Sequence, residues 1–424
     1  MKPIKPDEAL LGSIEGFLKG ILLQFDVDPA SDRGRRRILP GLALWAGMVV
    51  CVARGFSSQL ELWRLLSEQG LWDFPRFGLG DEAVRKRLRD APEDTVRKIF
   101  EQVTTMLLAQ KEAIQKPLAG FAKGVFAIDE MTLDAVAKRL PSLHKIEGAV
   151  LPGKVSAIFD IRMQLWKHVA FQANPLQNSK VAARGLLDHI ETGSMILADL
   201  GYFAFEWFDD LTRQGYHWVS RLRKKTSYTL IHVLHESGST LDAIVFLGAH
   251  RADRSEHAVR LVCFTIKETT FTYITNVLQP ELLSIREISA LYARRWDIEM
   301  MFNMVKTHLH LHMIWSGYEN VVQHQLFAVF TVAQCILGLR SDLAQRADVD
   351  VFDISLDLMI RWIPRFAKEG SDPIAILAER GRRMMIIRPS TRNKLSAPEP
   401  PLTQYSPLPA DLQLTRAFRY ARKN

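Results

Sequence analysis

One run, Leu291-Tyr-Ala-Arg-Arg-Trp-Asp-Ile-Glu-Met-Met-Phe-Asn-Met-Val-Lys306, constrains this chain more than any other stretch. At about 100° per residue, Tyr292, Arg295, Glu299 and Lys306 fall within an arc of roughly 60° on one helix. Leu291, Ile298, Met301, Phe302 and Val305 cluster on the neighbouring face, which commits that side to a core. Such a helix points one carboxylate, two cations and a phenol the same way. A carboxylate can hold a metal ion, and cations with a hydroxyl beside it can hold phosphate oxygens. The competing reading is a solvated face laced with ion pairs.

Two acids upstream favour the chemical reading. Val125-Phe-Ala-Ile-Asp129 and Met195-Ile-Leu-Ala-Asp199 are short, continuous apolar runs that each end in Asp. Runs of this kind read as strands buried on both faces. Lys154–Ile161 and Arg162–Gln172 read as a hairpin, Ser179–Glu191 and Phe203–Gln214 as helices, and His217–Leu222 as a further strand. Strands and helices in this order predict an α/β fold, a mixed sheet with helices packed on it. Asp129, Asp199 and Glu299, drawn from three elements, could meet at a sheet edge and hold two divalent cations, with hard Mg²⁺ suited to an all-oxygen set. A duller role stands beside each: an Asp at a strand end often caps the following turn. Alternation sends Glu130 to the opposite face from Asp129. Asp160 ranks below the other acids, and Asp209 and Asp210 read as solvated. His308, His310 and His312 read as a solvated loop in preference to a metal site.

The remaining chain surrounds that core. Residues 1–118 read as helical, from the apolar spacing of Leu60–Glu68, Glu82–Leu88 and Thr95–Leu108. Basic clusters at Arg33–Arg37 and at Arg85, Lys86, Arg87 and Arg89 could meet DNA or keep a helix soluble. Residues 227–283 turn β-rich, with strands at Tyr228–His235, Leu241–Leu247, Val259–Ile266 and Thr270–Val277 and turns at Ser237-Gly-Ser and Ala252-Asp-Arg-Ser. They read as an insertion ahead of the Glu299 helix. Ser284 and Glu287 have capping-box spacing. Beyond 345, helices are expected at Ser355–Ile363 and Pro373–Arg382, an extended stretch at Pro398–Pro409, and a basic end at Arg416–Lys423 that either contacts DNA or runs free.

A net charge of +8 over 424 residues favours an anionic partner. Cys51, Cys263 and Cys335 are isolated and predict neither a disulfide framework nor a thiolate zinc site, which suits a reducing compartment. No secretory leader pattern opens the sequence. The apolar runs Ile38–Ala53 and Leu326–Leu339 are short for a membrane span and read as buried helices. A cytoplasmic protein with no membrane partner is the expectation.

The spacing Tyr292-x2-Arg295-x3-Glu299-x6-Lys306 resembles the signature of the insertion-sequence-four family of bacterial DDE transposases. Ala127-Ile-Asp129 resembles that family's first-acid motif, Ala198-Asp199-Leu-Gly-Tyr202 its second, and Trp218-Val-Ser-Arg221 its Arg-bearing strand. Glu130 is a departure, standing where many relatives have Gly. The resemblance spans roughly residues 120–340. It implies a ribonuclease-H-like core divided as 119–226 and 284–345, a β insertion at 227–283, an N-terminal helical DNA-binding domain at 1–118, and a C-terminal helical region with a basic tail at 346–424. It further implies a DNA transposase that cuts the ends of its element and joins them to target DNA. Asp129, Asp199 and Glu299 would be the catalytic metal ligands for two Mg²⁺ ions, with Mn²⁺ able to substitute. Tyr292, Arg295 and Lys306 would hold phosphates of the double-stranded end, Arg221 the DNA backbone, and Trp296, Phe271 or Tyr273 a displaced base. The protein would work as a homodimer on paired ends, at the bacterial nucleoid. Two alternatives are a transposase-derived protein that binds ends without cutting, and a two-carboxylate glycosidase, which leaves Arg295 and Lys306 without a task.

Overall fold

The computed structural model describes residues 14–24, 38–110, 118–148, 150–174, 179–249, 254–368, 372–390 and 396–416. The basic cluster Arg33–Arg37, residues 417–423 of the basic end, and Ala252 and Asp253 of the predicted turn lie outside the described residues. The chain divides into two compact units, one of Met1–Lys111, Met131–Lys154 and Met301–Ser390, the other of Glu112–Glu130, Val155–Met300 and Thr391–Asn424.

The first unit is helical. Its centre is Glu319–Ala347, packed by Thr95–Gln110, Gly41–Ala53 and Pro373–Arg380. Among the described residues this one helix is long and apolar enough to cross a membrane, but 89% of its most apolar window is buried inside the protein. The run Leu326–Leu339 is therefore part of a core helix by its burial, although the helix itself is longer than the run and long enough for a span. Close packing depends on Gly338, where a Cβ would come within 2.9 Å of Leu107. Within the unit, the buried Gln334 donates to the Thr104 hydroxyl at 2.8 Å. Along Asp81–Asp90, Arg85 pairs with Asp81, Arg87 donates to the Leu39 carbonyl, and Arg89 lies over the Tyr318 ring. Most of that basic cluster is thus engaged within its own unit.

The second unit is built on a nine-stranded sheet in the order β3-β2-β1-β4-β5-β9-β8-β7-β6. The strands are β1 (Val125–Thr132), β2 (Lys154–Asp160), β3 (Leu165–Gln172), β4 (Met195–Leu197), β5 (His217–Arg221), β6 (Tyr228–Ser237), β7 (Thr240–Leu247), β8 (Val259–Ile266) and β9 (Thr269–Thr275). β1, β4 and β5 run parallel; β9 joins β5 antiparallel, and the rest of the β-rich stretch follows as an antiparallel meander. The four strands read as an insertion thus extend the core sheet, because β9 satisfies the free edge of β5.

Which side chains face which way follows from alternation. Phe126, Ile128, Ile196, Ala198 and Trp218 join one buried cluster with Trp207, Phe208 and Leu211 of the helix Phe205–Arg213. Ala127 and Asp129, Leu197 and Asp199, and Val219 and Arg221 accordingly face the other side.

Candidate active site

Register places the two aspartates. Ala127 pairs with Leu197, and Leu197 with Val219, in adjacent parallel strands. Asp129 and Asp199 each lie two residues beyond that row, and Arg221 stands at the same offset on β5. Three polar side chains therefore share one face of the sheet, although β1 runs on to Thr132, so that Asp129 lies within its strand and does not end it. Parallel strands about 4.8 Å apart bring such residues together without any special loop.

Glu299 comes from the helix Ile285–Thr307, whose Arg295 reaches Asp199 and whose Tyr292 meets Tyr273. Tyr273, opposite Arg221 in the β5–β9 ladder, meets Tyr292 at 5.3 Å between ring centres. Ser284 caps the helix by accepting from the Glu287 amide at 3.2 Å. The expected box is only half formed, because Glu287 turns away to accept from the Ala119 amide at 2.8 Å. Nor is the functional stripe a solvated face. Tyr292, Arg294, Arg295 and Asp297 are all buried, so the helix is enclosed on most sides. Asp297 accepts from Gln164 at 3.2 Å, which ties the helix to the β2–β3 turn.

Arg295 lies among the acids. Its Nη1 is 2.7 Å from Glu299 Oε1 and 3.8 Å from Asp199 Oδ1, and its side chain is only 7% exposed. Nη1 is engaged by Glu299, whereas Arg295 Nε is buried with no hydrogen-bond partner. Burial works to lower the guanidinium's pKa, but Asp199, Tyr292 and Glu299 outweigh it and raise the value overall. Asp129 is pushed up to about 6, chiefly by burial and further by the charges of Glu299 and Asp199, against the opposing pull of the Glu130 amide and Arg295. Asp129, Asp199 and Glu299 thus interact as one cluster, short of positive charge even with Arg295 among them.

The other expected residues each have contacts of their own. Tyr292 lies under two guanidinium groups, Arg221 and Arg295, each 5.5 Å from its ring centre. Arg221 is exposed and also lies 5.8 Å from the Phe271 ring centre. Trp296 is 53% exposed, with the Arg295 guanidinium 5.7 Å from its ring centre. Lys306 belongs to the first unit, where its Nζ lies 5.7 Å from the Phe302 ring centre. In that unit His308 contacts Asp357 at 3.2 Å and His312 approaches the Lys306 carbonyl at 2.9 Å, so only His310 is exposed.

Tyr202 was missed. Its phenol is buried, and burial together with Asp129, Glu130 and Asp199 raises its pKa. The signal was its place three residues after Asp199: Leu200–Tyr202 forms a 3₁₀ turn, which stacks positions three apart. Asp160 is structural, accepting from the Arg162 and Met163 amides. Asp209 is a correction. It is 1% exposed, not solvated, and accepts from the Glu256 and His257 amides. With Glu256 and His257 it offers three ligand atoms within 4.8 Å of one another. Those amide bonds already satisfy its carboxylate, so the trio reads as a loop anchor.

Residues 123–335 match a family described as "Transposase DDE domain". A relative from Sinorhizobium fredii, "Putative transposase y4zB", is 29% identical over 41% of this chain and 49% of its own length. The chain thus spans about half of that protein. From Geobacillus stearothermophilus, "Probable transposase for insertion sequence element IS5377" is 22% identical over 67% of this chain and 73% of its own. Among solved structures, a piggyBac transposase synaptic complex with hairpin DNA aligns with 91% of this chain and 84% of that one, at 12% identity and a TM-score of 0.41, a likeness too slight to bear on the fold.

Proposed function

The chain belongs to the transposase DDE domain family, and from that premise we propose that Asp129, Asp199 and Glu299 form the centre that cleaves insertion-sequence ends and joins them to target DNA. The observation that carries this reading is the convergence of the three acids around Arg295. The parallel strands β1, β4 and β5, with Asp129 inside β1 and Asp199 two residues past β4, support a ribonuclease-H-like core.

The cluster suits the divalent metal on which DDE chemistry depends. Its donors are all carboxylate oxygens, the set that hard cations prefer. The raised pKa of Asp129 marks a place where added positive charge is favoured. Two Mg²⁺ ions held by Asp129, Asp199 and Glu299 would supply Lewis-acid stabilisation and a more acidic attacking hydroxyl.

The chain's own residues supply the rest. Arg295 Nε is a buried donor without a partner, and a phosphate oxygen is the acceptor it lacks. Tyr292 is held by packing against Tyr273 and lies beside Arg295, which places its phenol next to the same phosphate. Arg221 offers an exposed cation on the same sheet face for the DNA backbone. Lys306 takes a phosphate role from its place in the four-residue signature, and Trp296 presents an exposed ring for stacking. Double-stranded ends are the substrate, and two copies act on a pair of them.

Incubation with labelled end DNA and Mg²⁺ tests the reading. Ends are identified as inverted repeats flanking the coding region. Wild type should cut at the repeat boundary, while Glu299→Ala should bind the same DNA and leave it whole. Equal cleavage by both proteins would overturn the assignment.

A further inference from the structure

Arg295 occupies the space between Glu299 and Asp199 that a bound cation needs. Its guanidinium is 2.7 Å from one carboxylate and 3.8 Å from the other, and it is buried there with its Nε unanswered. A guanidinium with one buried donor still unanswered gains a hydrogen bond by turning to a new acceptor. We propose that Arg295 is an internal counter-ion that competes with divalent metal for Asp199 and Glu299, and that a DNA phosphate draws it off, so that metal loading is coupled to DNA binding. The inference rests on the reading of Arg295 as a phosphate ligand and adds an order of events to it.

The physical argument is one of linkage. Without DNA, a cation entering the cluster meets Arg295 across a few ångströms in a half-buried setting, where like-charge repulsion is weakly screened. With a phosphate beside Arg295, its charge is answered elsewhere and both carboxylates are released. Whatever DNA adds to metal affinity, metal must add to DNA affinity by the same factor. A metal-free resting protein also has less means of cutting DNA at random, a useful property in an enzyme with a basic surface.

Mn²⁺ binding to the full chain, followed by loss of the free-ion paramagnetic signal, tests this without any turnover. The probes are Mn²⁺ alone and Mn²⁺ with a blunt duplex oligonucleotide in Ca²⁺-free buffer. Arg295→Gln keeps much of the side-chain volume and removes the charge; Arg295→Lys keeps the charge. Without DNA, Arg295→Gln should bind Mn²⁺ about tenfold or more tighter than wild type, and Arg295→Lys close to wild type. Adding duplex should tighten Mn²⁺ binding to wild type and have a clearly smaller effect on Arg295→Gln. Should Arg295→Gln fail to fold, the wild-type response to duplex stands alone: tightening supports the coupling, and an unchanged affinity overturns it. Equal or weaker Mn²⁺ binding by folded Arg295→Gln also overturns it. Asp199→Asn separates this failure from that of the catalytic reading. If Asp199→Asn abolishes Mn²⁺ binding while Arg295→Gln leaves it unchanged, only the competition is wrong. If wild type binds no Mn²⁺ with or without duplex, both fall.

Discussion

Two arginines in the sheet unit meet carboxylates, and they do so in opposite ways. Arg260 and Asp242, on neighbouring strands β8 and β7, are both fully buried. Arg260 donates from Nε at 2.8 Å and from Nη2 at 2.6 Å to the two oxygens of Asp242, and from Nη1 to the Leu283 carbonyl at 2.6 Å. Every arm of that guanidinium has an acceptor. Arg295 is almost as buried, yet its Nε has no partner and the acids around it stay partly exposed. The first arrangement is complete as it stands. The second is complete only when something else enters. Burial of a charged pair therefore does not separate structural from functional arginines; the completeness of its hydrogen bonds does.

The comparison can be broken at several points. The largest effect belongs to the open cluster: Glu299→Gln should lower end cleavage at least about a thousandfold at saturating Mg²⁺, measured by product formation on labelled DNA. Almost as large is the effect at the closed pair. Asp242→Leu strands the Arg260 charge and should cost about 3–5 kcal/mol in denaturant unfolding, with no selective loss of end binding in whatever fraction remains folded.

The third effect has the opposite sign. Asp129 is raised to about 6 in the fold, so its ionisation opposes folding. That cost is absent below about pH 4 and is fully present above about pH 6. Asp129→Asn should therefore be more stable than wild type at about pH 7.5, by up to about 3 kcal/mol, and the gain should disappear at about pH 4. Thermal unfolding at the two pH values checks it. A destabilised Asp129→Asn at neutral pH would show that the carboxylate is as well satisfied as Asp242. Smallest is Arg295→Gln, which should change stability by no more than about 1 kcal/mol, because the interactions it loses are incomplete. Its binding to duplex DNA should instead weaken about tenfold, with a salt slope shallower by about 0.9, one phosphate contact fewer.

The same contrast explains how much could be read in advance. Strands β1 and β4 were legible because both-face burial demands continuous apolar runs, and Asp129 and Asp199 were conspicuous as the acids that end them. Glu299 was legible from helical spacing and from the family signature around it. What escaped depends on partners distant in the chain. Nothing near Asp209 announces that it anchors the Glu256 and His257 amides. Glu287 has the spacing of a capping box but serves Ala119, 168 residues away. Arg416 looked like part of a DNA-binding or free tail; its Nε instead donates to the Ser255 carbonyl at 2.8 Å and its guanidinium lies over the Phe246 ring. Periodicity reports which face is buried, and it is silent about which polar groups are answered inside.

The most direct measurement is anomalous scattering from crystals of the protein grown with Mn²⁺ and duplex DNA. The account predicts density within about 2.2 Å of carboxylate oxygens of Asp129, Asp199 and Glu299, with the Arg295 guanidinium turned to a phosphate. Density at Asp209, Glu256 and His257 with none at the three acids would contradict it.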